Sequence, residues 1–588
     1  MRSPLFRLLT TALLMAAVAG CADDAPPAAV DDGSGFELQI LPLPEGTNCS
    51  GTGEAESRSV YRIKVLDREQ VPPQTVADEE FEDGDTIKIT IPESNNLEVT
   101  VLAGALADGI FEPNYFSRLE QLSLTQGEKL QVTPLLTKFA DFSCVDVLPG
   151  VPNVIFPSIT PLPDGRILIA GGFTQAKDGA ARFEITGASD SAYIFDPADG
   201  KLRQTGNLMN KKRGAHAAVY LAKQQKVLLV GGAESLYKET DEACFPWYFD
   251  KNTAGSVGFT YELFDIKSET FFTYEGNWPD QSYEMIKKVR RVFPVALENE
   301  DGTALVTGGG QWPSCQTNME VDPDYKVAEF YRPAGDYEGG FQDSYNGLSM
   351  KAFRTGHAGI TLGVSDGLRT HLFWGGSDSG PVAELYRESS DQLTGIFGNF
   401  EEAIFLDKSS YKKKPFFHTI TRLSGGQFLV LGGSHLSKGA LTQPSASDAF
   451  LVQVVDEKIN VNKLDGLGEG RYFHSTVTYD NSHVVVFGGF GSKVVGEDTI
   501  FSSTAMADVR FFDLGTESLS LPPVDEDFWG RAGMAGSPLS NGCIFLAGGI
   551  DSVDEGLDYG GKSPQLMAEI HCPSMLCPES LWDSTCYE

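Results

Sequence analysis

Short alternating runs of apolar and polar residues recur along most of the chain, and helical spacing is hard to find. A period of two puts successive side chains on opposite faces of an extended strand. Between residues 36 and 140 the runs "YRIKVLD" (61–67), "DTIKITI" (85–91), "LEVTVL" (97–102) and "EKLQVTPLL" (128–136) are broken by "EDGD" and "ESNN". They predict a small antiparallel β-sandwich, Ig-like by strand count, with no catalytic constellation in it. An accessory or stalk module is the expectation.

From about residue 142 a second pattern takes over. Continuous aliphatic runs end in a double glycine: "RILIAGG" at Gly172, "KVLLVGG" at Gly232, "TALVTGG" at Gly309, "THLFWGG" at Gly376, "QFLVLGG" at Gly433, "HVVVFGG" at Gly489 and "CIFLAGG" at Gly549. By subtraction the seven copies are 60, 77, 67, 57, 56 and 60 residues apart. That spacing is too long for a helical solenoid repeat and fits one unit with insertions. Upstream of several copies stands Arg-x-x-His: Arg213 with His216, Arg354 with His357, Arg471 with His474. Arg291 and Arg531 keep the arginine alone, and His418 the histidine alone. Downstream, each unit has a further strand, usually carrying an acid beside a small residue, as in "VAEFY" (327–331), "VAELY" (382–386) and "MAEIH" (567–571).

In these features the chain resembles Kelch-repeat proteins, whose repeat is a four-stranded blade with Arg-x-x-His opening strand a and Gly-Gly closing strand b. The resemblance spans about residues 142–575. It implies an all-β chain: a seven-bladed Kelch-type β-propeller preceded by the small β-sandwich-like domain. A ring leaves no exposed sheet edges. Because the seventh copy runs out after "MAEIHCP", "FSCVDVL" (142–148) is expected to supply its missing outer strand. That places Cys144 near Cys572, Cys577 and Cys586, while Cys244 and Cys315, in insertions of adjacent blades, are expected to pair. The family's closing tryptophan is absent, replaced for instance by Phe271-Phe272 or Leu202.

Composition narrows the function. A net charge of −35 offers no basic field for nucleic acid. Arg2 and Arg7 precede an apolar run, Leu8 to Val18, too short to span a bilayer, and "VAGCADD" follows. This start resembles a bacterial lipoprotein signal and implies lipidation at Cys21, with Ala22 favouring the outer membrane. The domain expectation is therefore signal peptide 1–20, flexible tether 21–35, β-rich domain 36–140 and propeller 142–588 with a cysteine-rich tail. Setting Cys21 aside leaves Cys49, Cys144, Cys244, Cys315, Cys543, Cys572, Cys577 and Cys586, an even number suited to disulfides in an oxidising compartment.

Three sets of residues are candidates for recognition. The strand-a arginines Arg213, Arg291, Arg354, Arg471 and Arg531 could take carboxylates bidentately, with His216, His357 and His474 beside them. The competing reading has the arginines bonded to neighbouring backbone or to the repeated acids Glu329, Glu384, Asp508 and Glu569. The loops after strand b vary most, and "CFPWYF" (244–249), "GQWPS" (310–314) and Phe528-Trp529 supply aromatics suited to a sugar or protein surface. Histidines repeating once per blade lie too far apart for one metal ion. Galactose oxidase shares a seven-bladed Kelch ring, but its Tyr-His pair has no counterpart here, and sialidase Asp boxes are absent. The expectation is a non-catalytic, membrane-anchored scaffold with no cofactor or metal, binding protein or glycan at the cell envelope; the alternative is a propeller enzyme acting on carbohydrate.

Overall fold

The computed structural model describes residues 35–38 and 59–572 apart from interspersed loop segments, the longest of them 240–256, 273–284, 311–325 and 552–567. The leader, Cys21, Cys49, Cys244, Cys315, Cys577 and Cys586 lie outside the described residues. Among the described residues the fold is all-β, with short 3₁₀ turns as the only helices, and is of the β-propeller type. No helix among them is long and apolar enough to cross a membrane.

The amino-terminal strands form two facing sheets. Gln74–Glu82, Val60–Asp67, Ser94–Ala107, Ile110–Leu124 and Thr137–Lys138 make a five-stranded sheet, and Ile87–Thr90, Gly35–Leu38 and Lys129–Val132 a three-stranded one. Ile63, Val65, Val99 and Val101 from the first meet Ile87, Ile89 and Val132 from the second in one core. The strand Gln74–Glu82 was not legible as such, because its acids face solvent along a sheet edge, a placement that discourages edge-to-edge pairing.

Seven further sheets among the described residues share one plan, four antiparallel strands in the order inner, second, third, outer, to which the fifth adds Ile404–Phe405 parallel to its outer strand. Their inner strands are Ser158–Pro161, Ala217–Leu221, Val295–Glu298, Ala358–Ser365, Thr419–Arg422, Ser475–Thr478 and Ala535–Pro538. Each lies against the next, and the seventh against the first. The last four residues of every second strand are buried, as in Ile167–Ala170 and Ile544–Ala547, since neighbouring sheets cover both their faces. That is why they read as unbroken aliphatic runs.

The seventh sheet draws its outer strand from the other end of the chain. Asp141–Cys144 pairs antiparallel with Ala568–Cys572, in the register Phe142 to His571 and Cys144 to Glu569. Phe142 stacks on His571 with centroids 4.4 Å apart and packs against Phe487 and Phe528. Cys572 is bonded to Cys543 in a buried disulfide joining the second and third strands. The Thr137 hydroxyl of the amino-terminal sheet lies 2.7 Å from the Cys572 sulfur, and Leu102 and Phe116 join Phe545, Ile570 and Cys572 in one apolar cluster. The amino-terminal sheets are therefore packed against the seventh of these sheets, the one that takes its outer strand from Asp141–Cys144.

Candidate functional site

The double glycines mark the seam between sheets. Both residues of every copy have positive φ, from 53° to 101°. A Cβ on the first would collide with a backbone carbonyl of the next sheet, that of Arg213 for Gly171, Arg531 for Gly488 and Val154 for Gly548. The N–H of the second glycine donates to the same carbonyl in six copies, at 2.7–2.9 Å, and the bond from Gly549 to Val154 runs from the seventh sheet back to the first. Only glycine allows both the conformation and the approach.

Each arginine locks its own sheet to that seam. Arg213, Arg291, Arg354, Arg471 and Arg531 are fully buried. Each donates through Nη1 to the first-glycine carbonyl of its own sheet, Gly231, Gly308, Gly375, Gly488 and Gly548 respectively. Each also pairs with an acid in the third strand or just before it: Arg213 with Glu262 at 2.7 Å, Arg291 with Glu329 at 2.7 Å, Arg354 with Glu384 at 2.9 Å, Arg471 with Asp508 at 2.8 Å, and Arg531 with Glu569. Burial pulls Arg213, Arg354 and Arg471 below the ordinary arginine value, and the paired acid opposes it. These guanidiniums are engaged inside the seam rather than presented to a ligand. Glu262 completes the set of acids; the sequence reading overlooked it because bulky Tyr261, not a small residue, precedes it.

The histidines fill the space that the glycines leave. The rings of His216, His357, His418 and His474 lie under Gly171, Gly308, Gly375 and Gly432 of the preceding sheet. Met534 and Pro157 lie under Gly488 and Gly548 in the same way, and Pro294 stands at the equivalent position of the sequence in the third sheet. Nε2 of His216 meets Ser158 Oγ at 2.9 Å, that of His357 meets Thr307 Oγ1 at 3.1 Å, and that of His474 meets Thr419 Oγ1 at 2.9 Å. His357 and His474 are 6 % and 5 % exposed; His216 keeps more exposure as a residue, but its Nδ1 is enclosed.

Burial, and then the neighbouring arginine, pushes His216 down to about 3 and His357 and His474 well below the usual imidazole range; His371, enclosed beside Asn299, is also held at about 3. A folded-state pKa below the unfolded one gives stability that is complete above the unfolded value and is lost as the pH falls beneath it. Between pH values of about 6.5 and 3, His216 and His371 each cost roughly 1.4 kcal/mol of stability per pH unit, and His357 and His474 act in the same direction. Urea midpoints should therefore drop steeply between about pH 6.5 and pH 5. A flat profile there would contradict neutral buried imidazoles.

One position after the arginine's neighbour, a third repeat closes the axis. Phe156, Ala215, Phe293, Gly356, Phe417, Phe473 and Gly533 all have φ between 52° and 70°. Their backbones hand hydrogen bonds from sheet to sheet: Ala215 N–H to Phe156 O at 3.1 Å, Phe293 to Ala215 at 2.9 Å, Phe417 to Gly356 at 2.7 Å, Gly533 to Phe473 at 2.9 Å and Phe156 to Gly533 at 2.8 Å. The four phenyl rings, from the first, third, fifth and sixth sheets, meet one another. Centroids are 4.4 Å apart for Phe417–Phe473, 4.6 Å for Phe156–Phe473, 5.1 Å for Phe293–Phe417 and 5.2 Å for Phe156–Phe293. Gly356 and Gly533 are glycine because Phe417 and Phe156 occupy the space of their Cβ. None of the seven positions carries an ionisable side chain. The signal was present in "RYFH", "RVFP" and "PFFH", but without neighbours in space it reads as generic core.

Hairpins rise from this face directly after the glycines. Phe173–Asp178 and Arg182–Ala188 pair, and Leu236–Glu239 from the next excursion adds to them. Ser434–Ser437 pairs with Ala440–Pro444, and Phe490–Val495 with Asp498–Ala505. Ala176, Ile185, Leu236, Phe490 and Ala505 root the first and last of these in the same apolar cluster as Phe417 and Phe473. The sandwich touches Cys543 and Cys572, at the start of a second strand and the end of a third, and so lies at the opposite end of the ring. Phe528 is buried against Phe142 and Phe487; 244–249, Trp529 and most of 310–314 lie outside the described residues. Among the described residues no cluster of three or more metal-ligating side chains occurs.

No protein-family model matches the chain. No curated protein matches it. Among solved structures it is similar to a fungal alcohol oxidase of the AA5 family in complex with copper, with a TM-score of 0.45 and 13% identity over 74% of this chain and 77% of that one. It is also similar to YjhT, with a TM-score of 0.34 and 13% identity over 64% of this chain and 99% of that one.

Proposed function

We propose that the chain is a seven-bladed Kelch-type propeller on a sandwich base, anchored at the cell envelope through Cys21, and that it acts as a binding scaffold for a protein or glycan. One observation carries this reading. The repeated arginines and acids are paired with each other inside their own sheets, the histidines reach the preceding sheet, and phenyl rings fill the axis, so the features that differ from copy to copy are the hairpins on one face. Variable loops on a rigid frame are where specificity usually resides. Sheet order and the strand lent by Asp141–Cys144 support the propeller assignment.

The test is to replace Ser492–Phe501, the far part of one hairpin, with a two-residue turn. Capture of a partner from envelope extracts should fall about tenfold or more, a loss of the size expected when central contacts are removed, while the melting profile stays put. Full capture by the shortened chain overturns the reading.

A further inference from the structure

The sixth sheet breaks a rule that the other six keep. Opposite the penultimate residue of the second strand stand Tyr193, Glu262, Glu329, Glu384, Phe450, Arg510 and Glu569 in turn. Where the acid is missing in the first and fifth sheets, the arginine is missing too: Val154 and Pro415 give the carbonyl that an arginine gives elsewhere. Arginine and acid thus come or go as a pair. In the sixth sheet Arg471 is kept, yet its partner acid sits two residues early, at Asp508, and a second arginine, Arg510, holds the acid's position.

The acid's position has a defined donor set. Glu262 accepts from Arg213 and from the backbone N–H groups of Asn210 and Lys211, the latter at 3.0 Å. Glu384 accepts from Arg354 and from the N–H groups of Lys351 and Ala352, at 2.6 and 3.1 Å. Those amides lie three and two residues before the arginine. The equivalent residues before Arg471 are Gly468 and Glu469, both exposed. A Cβ on Gly468 would lie 2.9 Å from Nη2 of Arg510, so the guanidinium lies against this loop.

Arg510 is not neutralised as its neighbours are. Asp508 takes Nη2 of Arg471 at 2.8 Å and Nε of Arg510 at 2.8 Å. Among the described residues Nη1 and Nη2 of Arg510 have no bond of this kind, and its side chain is 20% exposed. Nε of Arg471 is buried without a partner, whereas Arg291 and Arg354 give theirs to glutamate; Arg213 Nε is likewise unpaired, but there Glu262 is present and takes Nη2 instead.

We infer that Arg510, with the backbone amides of Gly468 and Glu469, is a carboxylate-binding site on the recognition face. An external carboxylate takes the role that the third-strand glutamate plays in the second and fourth sheets: two loop amides on one side and a guanidinium fork on the other. Arginine suits such a group because two parallel N–H donors match its two oxygens. The exposed side chain of Glu469 beside the loop amides, and Asp508 on Nε of Arg510, oppose it. The inference rests on reading this face as the recognition face and gives it a ligand chemistry, that of an acidic sugar or an acidic peptide group.

Calorimetric titration of the full chain with glucuronate and with N-acetylglutamate tests it, using glucose and N-acetylglutamine as neutral counterparts. At least one acid should bind, the neutral compounds should not, and added salt should weaken the binding. The tighter acid identifies the source of the carboxylate. Arg510→Gln should weaken binding by at least about tenfold, as expected for losing a charged hydrogen bond, and leave the denaturation midpoint unchanged. Failure of both acids to bind, or unaltered binding in Arg510→Gln, overturns the site. Shortening the 490–505 hairpin leaves Arg510 in place, so loss of partner with acid binding retained separates the two proposals.

Discussion

A chain begun at Val145 should fail to form a stable ring. It lacks Asp141–Cys144, so Ala568–Cys572 becomes an open edge and the backbone groups paired in that register lose their partners. Phe142 is 4% exposed among Phe487, Phe528 and His571, and removing a buried phenylalanine alone costs about 3–5 kcal/mol. Leu102 and Phe116, which cover the seventh sheet, go with it. A melting temperature lower by on the order of 10 °C or more is expected, with aggregation through the freed edge. Differential scanning calorimetry beside the sandwich-bearing chain decides it, and equal melting temperatures would show that the amino-terminal region is an accessory to a ring that closes without it.

Arg354→Met should be the most damaging substitution in the seam. Both Arg354 and Glu384 are at 0% exposure, so the change leaves a buried carboxylate whose remaining support is two loop amides. Breaking one half of a buried pair costs about 3–5 kcal/mol, whereas replacing both members by apolar residues is often close to neutral. The double variant Arg354→Met with Glu384→Leu should therefore recover much of the loss. Arg471→Met should cost less than Arg354→Met, because Asp508 is 25% exposed and keeps Arg510 as a partner. Denaturant midpoints of the variants give the order directly, and an Arg354→Met protein as stable as the native one would mean that the pair does not hold the seam.

Much of the frame was legible because it is periodic. The double glycines announced the end of every second strand, and the aliphatic runs before them are strands covered on both faces. The borrowed strand at 142 followed from counting strands in the last copy. Less of the site was legible. Arg213 and its equivalents look alike whether they face solvent or a glutamate, because charge says nothing about burial; the structure encloses them. Phe156, Phe293, Phe417 and Phe473 are spread over more than three hundred residues of sequence and become a plug only when the axis brings them together. The disulfide of Cys543 with Cys572 could not be chosen from among so many pairings. Arg510 was not legible, since "MADVRFF" matches "MAEIH" and "VAELY" with Asp508 in the place of their glutamate, and only the strand register sets Arg510 at that position.

The central claim is that recognition belongs to the hairpin face and not to the axis. The most direct measurement is the affinity of a captured partner for the intact chain, for the chain shortened at Ser492–Phe501, and for a Phe293→Leu chain altered only in the plug. Affinity lost with the hairpin and kept in Phe293→Leu is the predicted result. Affinity kept without the hairpin and lost with the plug would contradict it.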